Sequence, residues 1–425
     1  HNFRFIYKCG MSLLKLNKNL NVPILSHHHG DPSKFRGRPA GFYEIFKRHN
    51  CLGQMVQIIS NDLDAGKILA YGETNIYSWS YKKTLKEAYD VSPIIFEKAL
   101  FNFKKNFYIR KKPKGKIYKL PSNIMCLKFI SLQILNFSKR VIYGMFYEKA
   151  WGVKYTKIKN INHQKSIFKY LEKKGEEIFS LKKDPQYSFY ADPFFLDSKI
   201  IVEGLSKKKA KGELLIIDPN KNIIIKKIKH GRNHLSYPYT FKSSQGTFIY
   251  PDSYSFKKPI LYLINNDNNI ECIKMNRFRK SLSDPSVIVH EDNFYLFANY
   301  YNEPGILRVW ISKTPFFDKF IEHPSSPISI SPRGGRMGGR IFYFDNKWYR
   351  LGQDCSSDYG NGLILYKIRK ISINNYIEEE IDYFKYNNSL KGPHNIDIYK
   401  NIIVWDYYKE RFNLLAGFKR LYAKI

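Results

Sequence analysis

The sequence predicts a multidomain protein in which a partial α/β segment is followed by an all-β, five-bladed propeller. Two observations carry this prediction: apolar residues recur at helical spacing before residue 104, and after residue 166 short apolar runs separated by polar turns repeat five times. The chain has 425 residues, too many for one ordinary core. Its 43% hydrophobic and 16% aromatic fractions exclude a disordered chain. We therefore divide it into residues 1–104, a basic helical connector over residues 105–165, and a propeller over residues 166–425.

The first segment is predicted to be mixed α/β. Apolar residues recur every three or four positions over residues 83–101, which predicts a helix, and a shorter helix is predicted near residues 41–49. Short apolar runs predict strands at residues 22–26 and 55–60. This segment is therefore expected to combine at least two strands with two helices.

Five repeats carry the propeller prediction. Each places a polar residue before a β-rich run, which a polar turn connects to a second β-rich run. The leading residues are Asp192, Tyr237, Asp284, Arg340 and His394, at intervals of 45, 47, 56 and 54 residues. Strand-built self-similarity at this period is typical of propeller blades, whereas a β-sandwich would not repeat a polar start five times. Because the first strand of each blade lines the central channel, we expect the leading residues to ring it.

Acidic and imidazole side chains near these repeats are candidates for chemistry in the channel. They are Asp192, Glu203, His234, Asp252, Asp284 and His394. Carboxylates a few ångströms apart can act as general acid and base and in glycosyl chemistry. The alternative, that an Asp before Pro caps a turn at a blade edge, stays open for Asp192 and Asp284.

A glycine- and arginine-rich stretch precedes the fourth repeat. Arg333-Gly-Gly-Arg336-Met-Gly-Gly-Arg340 is typical of an anion-binding loop, because glycine lets backbone N–H groups approach an anion and arginine binds phosphate or carboxylate. With Asp354 near the same rim, we expect Arg336 and Arg340 to contact a phosphorylated or acidic glycan. The alternative is that the arginines pair with Asp354 and Asp358 and brace the blade.

Longer motifs give the propeller a specific resemblance. Phe189-Tyr-Ala-Asp-Pro-Phe-Phe, His234-Leu-Ser-Tyr-Pro-Tyr and Tyr349-Arg-Leu-Gly-Gln-Asp354 resemble the N-terminal domain of plant glucosamine inositolphosphorylceramide transferase, which is similar to the family 43 glycoside hydrolase propeller. The resemblance implies that Asp192 lies where the hydrolases keep their general base and Asp284 near their second carboxylate. Asp252 stands where a Glu general acid is expected, so the resemblance favours sugar or lipid-sugar recognition over hydrolysis.

The first segment carries a second set of motifs. A histidine triplet, His27-His28-His29, follows a predicted strand, a loop then leads to Arg36-Gly37, and Leu-Asp64-Ala-Gly comes further along the chain. Three adjacent histidines cannot all face one ion from an extended strand, so no metal site is predicted. We expect His28 and Asp64 to approach to roughly 3 Å, with the two flanking histidines pointing away.

These motifs resemble the formyltransferase family. The resemblance implies that His28 and Asp64 are the catalytic pair, that Arg36 and Gly37 bind substrate, and that 10-formyltetrahydrofolate is the cofactor. The family's oxyanion-stabilising Asn is replaced by Ser26, which we expect to act in its place. The first half of that fold is not seen and the chain opens with His1, so we expect the natural reading frame to begin upstream.

Charge and cysteine content indicate the expected partners and compartment. The net charge of +34 favours an anionic partner, but Lys, Asn, Ile and Tyr are abundant together, so binding to nucleic acid is not favoured. Over residues 105–160 fourteen Lys and Arg accompany one acid, Glu148. The apolar-rich stretch of residues 124–146 therefore predicts a basic helix that either contacts an anionic membrane or packs between domains. Five scattered cysteines suit the cytoplasm.

The combined prediction is a transferase that formylates an amino group on a sugar or glycan intermediate in cell-surface glycan biosynthesis, with the propeller recognising the glycan. Two alternatives stay open. One is a propeller glycosyltransferase or glycoside hydrolase-like enzyme with an inert first segment. The other is a non-catalytic glycan-binding protein at the membrane face.

Overall fold

The computed structural model describes residues 4–9, 14, 22–158, 166–172, 177–265, 267 and 269–422. The chain divides into two compact units. Unit 1 comprises residues 1–143 and 330–332, and unit 2 comprises residues 144–329 and 333–425. The described residues form mostly β-structure, and among them no helix is both long enough and apolar enough to cross a membrane.

Unit 1 is a mixed α/β unit built on one four-stranded sheet. Its elements are β1 Ile6–Lys8, β2 Ile24–His28, β3 Phe35–Gly37, α1 Phe42–Phe46, β4 Cys51–Ile58, β5 Lys67–Asn75, α2 Tyr81–Lys104, β6 Lys116–Tyr118 and α3 Asn123–Phe146, of which α3 continues into unit 2. The sheet order is β1-β2-β4-β5, with β1 parallel to β2 and the other pairs antiparallel. Strands β3 and β6 form a separate parallel pair.

Helix α2 covers this sheet along β4 and the edge strand β5. Six consecutive residues of β4 are buried, as expected for a strand covered on both faces. Helix α2 packs on β4 and β5 through Ala88, Ile95 and Ala99, which recur at helical spacing. Its N-cap is Ser80, whose hydroxyl accepts a hydrogen bond from the Lys83 amide. The predicted helices and strands of this segment are therefore present, with ends shifted by a few residues.

The described residues of unit 2 form five antiparallel sheets, together with the end of α3, a short C-terminal helix and one 3₁₀ turn. The strands are β7 Tyr147–Lys157, β8 Ile178–Ser180, β9 Tyr187–Leu196, β10 Lys199–Ser206, β11 Gly212–Asp218, β12 Ile223–Ile228, β13 Ser236–Ser243, β14 Gly246–Asp252, β15 Ile260–Ile264, β16 Ile270–Lys274, β17 Leu282–His290, β18 Asn293–Tyr300, β19 Ile306–Ser312, β20 Phe320–Glu322, β21 Ser329–Ile330, β22 Arg333–Met337, β23 Phe342–Phe344, β24 Lys347–Asp354, β25 Gly362–Ile371, β26 Tyr376–Phe384, β27 Ile396–Tyr399 and β28 Ile402–Phe412, with the 3₁₀ turn at Ile167–Tyr170 and α4 at Ala416–Tyr422.

Four of these sheets use consecutive strands and the fifth does not. The first two sheets are β9–β12 and β13–β16, each in sequence order. The third is β17–β20 with β21 on β19, and the fourth is β22-β24-β25-β26 with β23 on β24. The fifth has the order β27-β28-β7-β8, so it joins the beginning of unit 2 to its end. Strand β7, which lies in the predicted connector, is therefore part of the β-unit.

The first strands of the first three sheets share a bulge at the leading residue. Asp192, Tyr237 and Asp284 have φ of 50°, 45° and 48° and each precedes a proline. At each of them the register with the second strand shifts. Such a bulge interrupts the regular alternation of side chains between the two faces of the sheet and redirects one of them. Proline, which has no N–H, fits at this point because the hydrogen bonds between the two strands are interrupted there. The polar-proline repeat in the sequence therefore corresponds to a repeated backbone feature.

The fourth repeat differs from its prediction. The stretch predicted as a glycine-rich loop forms β22, Arg333–Met337, which pairs with β24. The run after Arg340 is the separate short strand β23, also on β24. Glycines at two of the five β22 positions remove the apolar alternation by which a strand is recognised in sequence.

Candidate functional site

Unit 2 contains a cavity of about 620 Å³ whose wall holds acidic, basic and aromatic side chains. This volume is within the usual range of small-molecule sites, roughly 300–1,000 Å³. Three carboxyl groups line it, those of Asp192, Glu203 and Asp252. We refer to it as the Asp192 cavity.

One side of the cavity is built around a buried histidine. The imidazole of His394 lies between two carboxylates, with Nε2 3.1 Å from Asp192 Oδ1 and Nδ1 2.7 Å from Asp406 Oδ2. The ring of Trp151 covers it at 4.2 Å between centroids. Burial opposes ionisation of His394, but the two carboxylates outweigh it and raise its pKa well above the usual value. His394 is therefore an imidazolium that faces a carboxylate with each N–H.

The same contacts keep Asp192 ionised. Its Oδ2 accepts a hydrogen bond from the Tyr237 amide at 3.1 Å. Burial favours the neutral acid, but His394, the Tyr237 amide and Arg336 outweigh it and lower the pKa of Asp192. As an imidazolium, His394 forms a buried ion-pair network with Asp192 and Asp406. The ligand atoms of the same three residues lie within 4.8 Å of one another, so they also have the residue types and spacing of a metal site.

A second acid–base pair lies on the neighbouring strands. His234 Nε2 is 3.2 Å from Glu203 Oε1, and the Gly212 amide donates to His234 Nδ1 at 2.9 Å. Because Nδ1 accepts, the ring proton is on Nε2, where it faces Glu203. Burial raises the pKa of Glu203, and His234 opposes that rise.

The third carboxyl group, Asp252, is held differently. Its Oδ1 accepts from the Tyr254 amide at 2.9 Å, while Arg336 lies 3.7 Å from Oδ2. Burial and repulsion from Asp284 raise the pKa of Asp252 to about 7. Arg336 instead makes a bidentate contact with Asp284, with Nη2 3.2 Å from Oδ1. Burial also raises the pKa of Asp284, against the effect of Arg336.

The predicted ring of leading residues is only partly a ring around the cavity. Asp192 and His394 line the cavity. Tyr237 bonds to Asp192 through its amide, and its hydroxyl donates to Gly339 O at 3.3 Å. Asp284 reaches the cavity wall only through its contact with Arg336. Arg340 instead forms an ion pair with Asp397, with Nε 2.7 Å from Oδ1.

The three arginines of the predicted anion site are each engaged by a carboxylate. Arg333 contacts Glu380 at 2.5 Å, Arg336 contacts Asp284 and Arg340 contacts Asp397. Asp354 does not reach the cavity: its Oδ1 accepts from the Ser356 amide and hydroxyl, and its Oδ2 accepts from the Tyr383 hydroxyl at 2.9 Å. The arginines thus form ion pairs within unit 2, as the bracing alternative expected, but their partners are Glu380, Asp284 and Asp397 and not Asp354 and Asp358.

A second repeated polar position completes the site and was not predicted as a repeat. Glu203, Asp252 and Asn299 lie on the second strands of the first three sheets, paired with the residue before each bulge, at Ala191, Ser236 and Ser283. All three are buried, and so are Gln353 and Asp406 on the second strands of the last two sheets. The signal was present in the sequence as a polar residue inside an apolar run. Because bulges and loops vary in length, its distance from the leading residue is not constant.

In unit 1, His28 and Asp64 form the predicted close pair. His28 ends β2, and its Nδ1 lies 3.3 Å from Asp64 Oδ1. The Gly37 amide donates to Asp64 Oδ2 at 2.9 Å, and Arg36 Nε donates to Leu63 O at 2.9 Å, which fixes the loop that carries Asp64. The catalytic roles of this pair stay predictions.

The flanking histidines lie on the other face of the strand, as alternation requires. His27 and His29 stack with ring centroids 4.5 Å apart. His27 contacts Gln54 at 3.2 Å and His29 contacts Ser92 at 2.9 Å. Burial lowers the pKa of His27 to about 4 and that of His29 to about 3, so both are neutral. The predicted substitute donor, Ser26, is two residues before His28 on the strand and half-buried.

The cleft beside His28 is small. It has a volume of about 10 Å³, room for about one water molecule, and its wall includes Arg36, Gly37 and Glu44. Burial raises the pKa of Glu44, a residue not predicted at this site, to about 7. This cleft by itself is too small for a folate, and no step through 10-formyltetrahydrofolate follows from it.

Comparison with known proteins relates part of unit 2 to one family. Residues 224–401 match the family described as glucosamine inositolphosphorylceramide transferase 1, N-terminal. The enzyme of that name from Oryza sativa subsp. japonica is 33% identical over 156 residues, 35% of this chain and 21% of the relative. The chain thus spans about a fifth of the length of the curated relatives it matches.

Two solved structures show weaker likeness. A GH43_1 enzyme from Xanthomonas citri aligns with 54% of this chain and 88% of its own at 11% identity and a TM-score of 0.37. A 4-N formyltransferase from Francisella tularensis aligns with 30% of this chain and 60% of its own at 18% identity and a TM-score of 0.24. Likeness at these TM-scores does not establish a shared fold.

Proposed function

We propose that unit 2 is a five-bladed propeller that binds a sugar unit of a glycan in the Asp192 cavity and catalyses acid–base chemistry at a glycosidic bond. Contacts between neighbouring sheets support the propeller. Strand β9 contacts β13, β13 contacts β17, and β17 contacts β22. The Ile396 amide donates to Gly338 O at 3.0 Å between the fourth and fifth sheets. Strands β27 and β28 contact β9, which returns to the first sheet.

The observation that carries the proposed chemistry is the opposite shift of two carboxyl groups in one cavity. The environment lowers the pKa of Asp192, whereas burial and Asp284 raise the pKa of Asp252 to about 7. One group is thus an anion at neutral pH, and the other holds a proton in a substantial fraction of molecules. Two carboxyl groups separated in this way can serve as base and acid in the same reaction.

The roles follow from the contacts. Asp252 donates its proton to the departing glycosidic oxygen, and the nearby Arg336 stabilises the carboxylate that results. Asp192, held by His394 and the Tyr237 amide, accepts the proton of the attacking hydroxyl or water. Trp151 and Tyr254 in the cavity wall offer flat faces to a sugar ring. Glu203, held at Oε1 by His234, accepts hydrogen bonds from sugar hydroxyls through its other carboxylate oxygen.

The matched relatives support a carbohydrate ligand. They are named glucosamine inositolphosphorylceramide transferases, and the matched residues include Asp252, Arg336 and His394. The arginine contacts do not favour the predicted phosphorylated or acidic glycan, because each guanidinium already binds a carboxylate. We therefore propose a neutral or amino sugar at this site.

The test uses the full chain with a panel of 4-nitrophenyl glycosides of hexoses, amino sugars, pentoses and uronic acids. We expect turnover of at least one neutral or amino glycoside, and a loss of about 10²–10⁴-fold in kcat for Asp192→Asn and Asp252→Asn. Asp197→Asn, in the exposed turn after β9, is the matched control and should keep full activity. Saturation-transfer NMR with the same sugars measures binding separately. Binding without turnover in wild type would refute catalysis, and the absence of both would refute the whole proposal.

Formyl transfer at the His28–Asp64 pair is a second candidate, and the 3.3 Å approach of these side chains favours it. A carboxylate on Nδ1 orients the imidazole, whose Nε2 lies 3.5 Å from Phe35 O in the resting state. On this proposal Nε2 exchanges that weak contact for the reacting carbonyl and holds or donates a proton there. On this proposal an amino group on a sugar is the formyl acceptor. The sequence resemblance, and not the small cleft beside His28, is what names 10-formyltetrahydrofolate as the donor.

This second candidate is tested by incubating the full chain with 10-formyltetrahydrofolate and a set of amino-sugar nucleotides. Formylated product that disappears in His28→Asn and Asp64→Asn, but persists in the control His27→Asn, would support it. If wild type forms no product while glycoside turnover is intact, unit 1 is a scaffold and the unit 2 proposal stands alone.

A further inference from the structure

Helix α3 exposes a long apolar surface. Nine of its large apolar side chains are 41–66% exposed, among them Ile124, Leu127, Ile134, Phe137 and Ile142. The helix has 24 residues and is about 36 Å long at 1.5 Å per residue. Single exposed apolar residues are common on proteins, but a contiguous row of this length marks an interaction surface.

The exposed residues share one side of the helix. Positions 124, 127, 134, 141 and 145 recur at helical spacing along that side. The opposite side packs on unit 1, where the Phe129 ring stacks on Phe42 at 4.3 Å and Asn136 donates to Ser78 O at 3.2 Å. The apolar row is therefore a second face, separate from the face that anchors α3 to its own unit.

The charges around this row are of one sign. Helix α3 contains no Asp or Glu, and Lys128, Lys139 and Arg140 are exposed on it. The preceding residues, 105–122, add seven Lys or Arg and no acid. Two copies of this chain packed through α3 would bring the three positive charges of each helix together, with no Asp or Glu on α3 to oppose them. An anionic surface, in contrast, complements them, because basic residues are attracted to an anionic membrane.

We propose that α3 docks the protein on an anionic phospholipid bilayer. The helix lies in the plane of the membrane, with its apolar row among the upper acyl chains and its lysines at the headgroups. Docking of this kind needs no membrane-crossing helix. This proposal does not depend on the sugar site.

The test is sedimentation of the full chain with vesicles of phosphatidylcholine alone and of phosphatidylcholine with 30% phosphatidylglycerol. We expect at least tenfold stronger binding to the anionic vesicles, weakened by salt. Leu127→Glu/Ile134→Glu should lower it at least tenfold. The control Ile225→Glu, at an apolar residue of β12 that is 53% exposed, should bind as wild type does.

Lys128→Gln/Lys139→Gln is a milder second variant that leaves the apolar packing untouched. It should weaken binding to anionic vesicles several-fold and leave the circular dichroism spectrum unchanged. Equal binding of wild type and both double variants, or no sedimentation of wild type, would overturn the proposal. A wild-type dimer in light scattering that Leu127→Glu/Ile134→Glu dissociates would also overturn it, and would assign the face to a second copy of the chain.

Discussion

Replacing Asp252 with Asn should change how the stability of unit 2 depends on pH. The folded state raises the pKa of this carboxyl group from 3.8 to about 7, so between these values the folded protein binds a proton that the unfolded chain has lost. Stability therefore falls as pH rises through this window. Each pH unit corresponds to about 1.4 kcal/mol. Between pH 5 and pH 8 the cost of the buried carboxylate grows only up to the folded-state pKa, that is over about two pH units. The free energy of unfolding of Asp252→Asn relative to wild type should therefore rise by about 3 kcal/mol over this range.

Asparagine can still accept the Tyr254 amide hydrogen bond at Oδ1, so the comparison isolates the charge. The assay is urea unfolding at pH 5, 6, 7 and 8, followed by tryptophan fluorescence. A Trp79→Phe background removes the unit 1 tryptophan and leaves four in unit 2. Asp197→Asn, on an exposed side chain, should track its parent at every pH. If Asp252→Asn also tracks its parent, Asp252 is already ionised at pH 5 and cannot be the acid of the proposed reaction.

Three further predictions concern buried contacts. Arg340→Ala leaves the fully buried Asp397 without its cation and should lower the free energy of unfolding by about 3–5 kcal/mol, measured in urea. Arg333→Ala breaks a half-exposed ion pair and should lower it by less than about 1 kcal/mol. Equal losses would contradict the assignment of Arg340 as a bracing residue. His394→Ala leaves two buried carboxylates without their shared cation, so it should destabilise unit 2 by a similar 3–5 kcal/mol and raise the lower pKa of any pH–rate profile. Gly66→Ala places a Cβ 1.9 Å from a carbonyl oxygen and should destabilise unit 1 by about 1–3 kcal/mol, measured by Trp79 fluorescence. An unchanged stability would show that this loop does not have the close backbone contact described for Gly66.

The local sequence pattern was sufficient to predict helices and strands, because these depend on the spacing of apolar residues and on repeats. The long helix over residues 83–101 and the strand pairs of the five repeats follow from spacing alone, because burial of one face imposes it. The approach of His28 and Asp64 came instead from a resemblance between motifs. Contacts across long separations, such as Gly37 with Asp64, are not encoded in any local pattern.

The partners of charged residues could not be predicted. Arg340 follows glycines, as an anion-binding arginine often does, yet it contacts Asp397, 57 residues later. Composition shows that an arginine is present, but only the sheet topology decides which carboxylate reaches it. The same holds for Asp406, which lies in an apolar run and becomes visible as part of the site only because β28 pairs with β7.

The chemistry proposed for Asp192 depends on how the fifth sheet is assembled. Asp192 belongs to the first sheet, whereas Asp406 lies on β28 of the fifth sheet and His394 lies just before β27. That sheet forms only when β7, near the beginning of unit 2, pairs with β28, near its end. The pairing also brings Trp151 of β7 over the ring of His394. Without His394, burial alone would favour the neutral acid of Asp192. The joining of the two ends of unit 2 therefore also covers the cation that keeps Asp192 ionised.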